Sequence, residues 1–324
     1  MFIPLCARLA LILAVLLAGA FSSKGAEPWV HPLDHRRKLN SPLVECTPFV
    51  FNNRLYLLEN WQKQWERPGS PDDAFFQEDE VRIRDVESDK VVSIALRGHG
   101  LGCALVWDGR VHVFAGDWGR GEKKWGIREV QHLSSADLVN WSAAETVLRA
   151  EPQERLFNVS VCRGRDRFVL LAETNDPQWP PFTFKYFTSA DLTQWERVPN
   201  AFYGTDRYVG GPALYFVGDW YYTLYLEALG EGRYETRITR SRDLVKWENA
   251  PAGRPFVTFR PDALIHPLRP IGLKEKNASD AEVVFWRGKT LVYFTGGDQM
   301  LAGDLQVAEF AGTPRELFEH FFQP

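Results

Sequence analysis

Three carboxylates in this sequence, Glu45, Asp280 and Glu282, stand where paired strands would bring them together. Their places follow from counting. Second strands of hairpins begin at Arg54, Arg167 and Lys289, and nine residues before each stand Glu45, Asn158 and Asp280. Glu282 follows Asp280 at a spacing of two, which points both side chains to one side of a strand. Leu43, Val44 and Cys46 surround Glu45, so a carboxylate there is a buried one that needs a reason. Carboxyl groups crowded into a narrow, partly dry space separate in pKa through burial and mutual repulsion. One then keeps its proton while another ionises, which lets a general acid and a general base work side by side. Which residue takes which part is not legible here.

The elements that must position these residues repeat. The phrase Ser-x-Asp-Leu-x-x-Trp occurs as SADLVNW at 135–141, SADLTQW at 189–195 and SRDLVKW at 241–247. Its tryptophans are 54 and then 52 residues apart. Ser and Asp tie down nearby backbone N–H groups in turns, while Leu and Trp offer apolar surface to a neighbouring unit. Each phrase follows a strand-like run, and no apolar period of 3.6 follows it, so a turn between strands is expected rather than a helix start. Between the phrases lie hairpin signals: Asn52-Asn53, Asp108-Gly109, Gly218-Asp219 and Arg287-Gly288. Laid over one another, these segments give five units with inner strands beginning near residues 45, 102, 158, 211 and 281. A period of this size is a mark of repeat architectures. The expected fold is all-β: a five-bladed β-propeller of four-stranded antiparallel blades over residues 41–324. Pro314 and the apolar Leu317, Phe318 and Phe321 predict a short C-terminal closing helix.

Composition narrows the partners. The formal net charge of −4, from 38 Lys and Arg against 42 Asp and Glu, lacks the basic excess of a nucleic-acid binder. Residues 1–20 read as a signal peptide, with Arg8 the only charge, an apolar run over 9–17 and Ala18-Gly19-Ala20 as the cleavage site. A secreted or periplasmic protein without stable membrane insertion after cleavage is expected. Residues 21–40 read as a polar leader. Cys46, Cys103 and Cys162 remain in the mature chain, an odd number without CxxC spacing, so buried free thiols are expected. Oligomeric state is not legible.

The five units, the three turns and the stretch GGPALYFVGDWYYTLYL at 210–226 resemble the five-bladed propeller glycoside hydrolases of family 43 and their relatives in families 32, 68 and 117. The resemblance implies a glycosidase acting on a polysaccharide or oligosaccharide. It also exposes a departure. The family's catalytic acid, the Glu of a Glu-Gly-Pro, is matched here by Gly210; its general base, an Asp before Pro, by Thr47; its third Asp by Asn158 or Ser160. Either the carboxylates have moved or catalysis is lost, which leaves a non-catalytic carbohydrate-binding propeller as the alternative.

With the carboxylates moved, the expected site lies at the channel mouth on Glu45, Asp280 and Glu282. His99, Arg207, Asn158, Asp117 and Gln299 are expected to contact substrate from the same rim, with Trp61 and Trp118 as platforms for sugar rings. No organic cofactor is implied. His99, Asp280 and Glu282 have no metal-site spacing, and a structural cation in the channel stays open.

Overall fold

Hairpin geometry sets the architecture. Asn52 and Asn53, Asp108 and Gly109, and Arg287 and Gly288 all have positive φ, between 46° and 82°. That backbone matches the twist of two adjoining antiparallel strands, and each pair joins a first strand to a second as the sequence predicts. The computed structural model describes residues 28–39, 41–67, 70–71, 74–118, 124–264, 274–298 and 302–323. The expected signal peptide therefore lies outside the described residues. Contacts divide the chain after His31, and all the described strands and helices lie in the unit from Pro32 onward.

The described strands form five four-stranded antiparallel meanders. Unit one comprises Cys46–Phe51, Arg54–Trp61, Glu80–Asp85 and Lys90–Arg97; unit two, His99–Trp107, Arg110–Asp117, Glu129–Ser135 and Glu145–Arg149. Unit three runs through Leu156–Arg163, Phe168–Thr174, Thr183–Ser189 and Glu196–Tyr203; unit four through Val209–Val217, Trp220–Gly230, Arg233–Ser241 and Trp247–Asn249. Unit five is Asn277–Trp286, Lys289–Asp298 and Ala302–Phe310, completed by Asp34–Lys38. Units four and five share one sheet through a short parallel pairing of Tyr234 with Asn277 and Glu235 with Ala278. The first strand of each unit packs on those of its two neighbours, and that of unit five packs on that of unit one, closing the cycle.

The segment Asp34–Lys38 corrects the sequence reading. Read there as a leader ending at residue 40, it is the outer strand of unit five, antiparallel to Ala302–Phe310. Arg36 pairs with Glu275 and donates to Gln306 Oε1 at 2.6 Å, and Lys38 bonds Asp304 at 2.5 Å. The N-terminal end of the ring thus latches to its C-terminal end. The closing helix is Pro314–His320, capped by Thr313 and Glu316 in a reciprocal capping box. Its Leu317 and Phe318, with Phe321 just beyond, are fully buried.

The three Ser-Asp-Leu-Trp turns are built alike. In the second, Ser189 Oγ accepts from the N–H groups of Asp191 at 3.1 Å and Leu192 at 2.9 Å. Asp191 Oδ1 accepts from those of Thr193 and Gln194, both at 2.9 Å. These bonds hold the Asp191 carboxyl well below its usual pKa, as they do at Asp137 and Asp243. Leu138, Leu192 and Leu244 are buried in left-handed backbone, which a helix start would not show. Each tryptophan packs on the preceding unit. Trp141 Nε1 donates to Ser93, Trp195 meets Phe114 edge-on, and Trp247 stacks on Tyr186. All three are half-buried rather than fully buried. Their truncation is therefore expected to cost less than the about 3–5 kcal/mol of a fully buried aromatic. The turn's hydroxyl is the more sensitive probe. Ser189→Ala leaves two buried-turn N–H groups without their acceptor and is expected to lower unfolding free energy by about 1–3 kcal/mol in a urea titration. The three cysteines are free and buried.

Candidate active site

The first strands carry a shared irregularity at their heads. Pairing slips between Gly100 and Cys103, Leu156 and Val159, Gly210 and Ala213, and Ser279 and Glu282, so each of units two to five has a β-bulge there. Leu101, Gly211 and Asp280 occupy corresponding bulge positions with φ of 53°, 50° and 52°. A bulge re-aims side chains, and here the five strand heads converge on one cavity. Its lining is Glu45, Cys46 and Thr47 from unit one, Leu101 and Gly102 from unit two, and Asn158 from unit three. Gly211 and Pro212 from unit four and Asp280 and Glu282 from unit five complete it. It is narrow, with a volume of about 20 Å³, room for about one water molecule.

Bonds between units fix this arrangement. Asn60 grips the backbone of Gly102 from both sides, at 2.9 and 3.1 Å. Ser160 Oγ accepts from Leu214 N–H at 2.9 Å, and Thr295 donates to the Leu43 carbonyl at 3.1 Å. Tyr215 of unit four reaches unit five, accepting from Val283 N–H at 2.7 Å and donating to Glu282 Oε2 at 2.5 Å.

All three expected carboxylates face the cavity. Asn158 reaches Glu45 from unit three, its Nδ2 donating to Oε1 at 3.2 Å. Burial, and then the nearby Asp280 charge, push the Glu45 carboxyl up to about 8. Burial raises Asp280 to about 6, offset in part by a hydrogen bond from Ser279. Glu282 is pushed up to about 8 by burial, against hydrogen bonds from Tyr215 and, at 3.4 Å, from Thr47. Asp280 stands directly against unit four. A Cβ on Gly211 would fall 2.1 Å from Asp280 Oδ1, so only glycine fits there.

A fourth carboxylate belongs to the same group. Glu173, in the second strand of unit three, accepts from Gly211 N–H at 3.0 Å. Burial, with the charges of Glu45 and Asp280, holds it well above the ordinary carboxylate range, even though the Gly211 bond opposes the shift. A Glu near the end of a second strand is the one signal that the sequence holds for it. Tyr208 lies beside it, and its hydroxyl is pushed up by burial and by Glu173, Asp280 and Glu45.

Of the expected substrate contacts among the described residues, Asn158 lines the cavity, whereas His99, Asp117, Arg207, Trp61 and Trp118 do not. His99 Nδ1–H donates to the Arg97 carbonyl at 2.6 Å, with its Nε2 4.0 Å from Asp117 Oδ1. Asp117 accepts from Gln131 at 2.9 Å. Arg207 is spent on Glu227, Asp206 and the Tyr203 hydroxyl. The two platforms are covered. Trp118 is 1% exposed, and the Arg82 guanidinium sits 3.7 Å over the ring of Trp61. Gln299 lies outside the described residues. Among those described, no three His, Cys, Asp or Glu side chains are grouped to hold a metal ion.

Neither a family model nor a curated protein matches this sequence. Solved structures do match in shape. A glycoside hydrolase aligns over 88% of this chain and 92% of its own at 14% identity, with a TM-score of 0.60. A thermostable family-43 glycoside hydrolase aligns over 83% and 88% at 11% identity, with a TM-score of 0.60. A β-1,2-mannobiose phosphorylase from Listeria innocua aligns over 86% and 92% at 11% identity, with a TM-score of 0.56. The chain therefore has the β-propeller fold found in family 43 glycoside hydrolases.

Proposed function

We propose that this protein is a secreted or periplasmic glycoside hydrolase acting on a polysaccharide or oligosaccharide. In this reading the five meanders are the five blades of a propeller, and Glu45, Asp280 and Glu282 work at its channel. One observation carries it: three carboxylates from opposite ends of the chain line one cavity, with Asp280 and Glu45 electrostatically linked. Burial raises both, and repulsion between them keeps a proton on the pair, with Asp280 the less raised and the first to ionise. Asp280 then takes a proton from water as that water attacks the anomeric carbon, and a protonated carboxyl of the channel gives its proton to the leaving oxygen. Among the described residues the cavity lining is acidic and contains no Lys or Arg, which favours water over an anionic phosphate as the attacking group. Asn158 is placed to bind both Glu45 and a sugar hydroxyl.

The test is a screen of the purified protein against a polysaccharide panel with reducing-end detection, in which cleavage of at least one member is expected. The glycine, threonine and asparagine at the family's carboxylate positions favour a second reading, a carbohydrate-binding propeller. Binding without turnover across the panel would select it. Gly211→Ala gives a sharper internal check. The new methyl would collide with the Asp280 carboxyl and sit in left-handed backbone. Turnover is expected to fall roughly 100-fold through misplacement of Asp280, with about 1–2 kcal/mol lost in stability.

A further inference from the structure

Building on the hydrolytic reading above, we infer that Glu173 is the proton donor to the leaving-group oxygen. Gly211 is the hinge of the argument. Glu173 Oε2 is fixed on its N–H at 3.0 Å, while Asp280 Oδ1 lies 2.1 Å from where its Cβ would be. The two carboxyls thus flank one backbone residue, and bond geometry puts these oxygens at most about 8 Å apart. That ceiling lies below the largest separation, about 9.5 Å, over which two carboxyls serve one scissile bond. The other oxygen of Glu173 is the useful one. Oε1 lies 3.5 Å from the point at which a side chain on Gly210 would begin, and the Tyr208 hydroxyl lies at the same distance from that point. The missing side chain at Gly210 leaves room for about a methyl group next to the cavity residue Gly211, and Oε1 of Glu173 borders that room. Glu45 also has one oxygen engaged, by Asn158, and in this assignment it stays beside Asp280 as the carboxyl that tunes it.

The groups that face Glu173 are Glu45 from unit one, Asp280 from unit five and the Tyr208 hydroxyl from the approach to unit four. None is a cation, so the surroundings favour the neutral, proton-bearing acid. In the step, the bond from the anomeric carbon to the glycosidic oxygen breaks and its electron pair goes to that oxygen, which takes the Glu173 proton. The water oxygen bonds the anomeric carbon, and its proton passes to Asp280. One carboxylic acid becomes a carboxylate and one carboxylate an acid, so charge is conserved.

The experiment compares wild type, Glu173→Gln and Gly210→Ala on paired glycosides of a sugar that the wild type cleaves: the 2,4-dinitrophenyl glycoside, which needs no acid, and the methyl glycoside, which does. The glutamine keeps an acceptor for Gly211 N–H, so the bulge is retained. An added Cβ at Gly210 meets its neighbours at ordinary contact distances, so that variant folds and obstructs only that room. For Glu173→Gln, turnover of the methyl glycoside should fall about 10²–10⁴-fold, with the dinitrophenyl glycoside within tenfold of wild type and the alkaline limb of the pH profile lost. For Gly210→Ala the methyl glycoside alone should suffer. Equal losses on both glycosides, or none on either, would overturn the assignment while leaving hydrolysis in place. A wild type that cleaves no glycoside would overturn both.

Discussion

Asp280→Asn is expected to lower kcat on the cleaved glycan by on the order of 10²–10⁴ or more, and Glu45→Gln, which replaces the carboxyl electrostatically linked to Asp280, by about tenfold or more, with little change in KM. Both replacements are close in shape. Asparagine tolerates the left-handed backbone at position 280, where φ is 52°. Glutamine at 45 can still accept the bond from Asn158. The fold should survive, and binding of an intact oligosaccharide should persist in a titration with the inactive variants. Steady-state kinetics beside calorimetric binding decides the matter, because full activity in either variant would move the chemistry out of this channel.

A second large effect concerns stability and pH. The Glu282 carboxyl is held between the Tyr215 and Thr47 hydroxyls, and desolvation raises it from an ordinary 4.5 to about 8 in the folded protein. Between those values the folded state holds a proton that the unfolded state has released. The contribution is therefore complete below about 4.5 and is lost as pH rises through about 8. Glu45 and Asp280 act in the same direction. Glu282→Gln resembles the protonated parent, so it should change little at pH 5 and stabilise at pH 8. An increase in Tm of roughly 5 °C or more over the parent at pH 8 corresponds to a few kcal/mol in a chain of this size. Calorimetric scans of both proteins at the two pH values check this. A Tm difference independent of pH would mean that Glu282 is ionised in the fold throughout.

Local chemistry decided which parts were legible in the sequence. The Ser-Asp-Leu-Trp turn is legible because Ser189 and Asp191 bond to their own neighbouring backbone. Asp108-Gly109 is legible because few residue pairs take two positive φ values in a row. Glu45, Asp280 and Glu282 could be placed because strand register carries a side chain to one face over a short count. The remainder depended on distant chain. Asp34–Lys38 looks like a basic leader until Ala302–Phe310 supplies its partner strand and Glu275 and Asp304 its counter-charges. Trp61 and Trp118 look like open platforms until Arg82 and the folded core cover them. Glu173 gave only its acidic rim position, because its place in the site comes from a bulge at Gly211 in the next unit.

The central claim is that water attacks a glycosidic carbon at the Glu45–Asp280 channel. Its most direct test is to incubate the protein with the polysaccharide panel in ¹⁸O-labelled water and weigh the released sugars by mass spectrometry. Wild type should yield products with one ¹⁸O at the new reducing end, and the Glu45→Gln/Asp280→Asn double variant should yield none. Bound glycan with no labelled product from the wild type, or the same label from both proteins, would contradict the account.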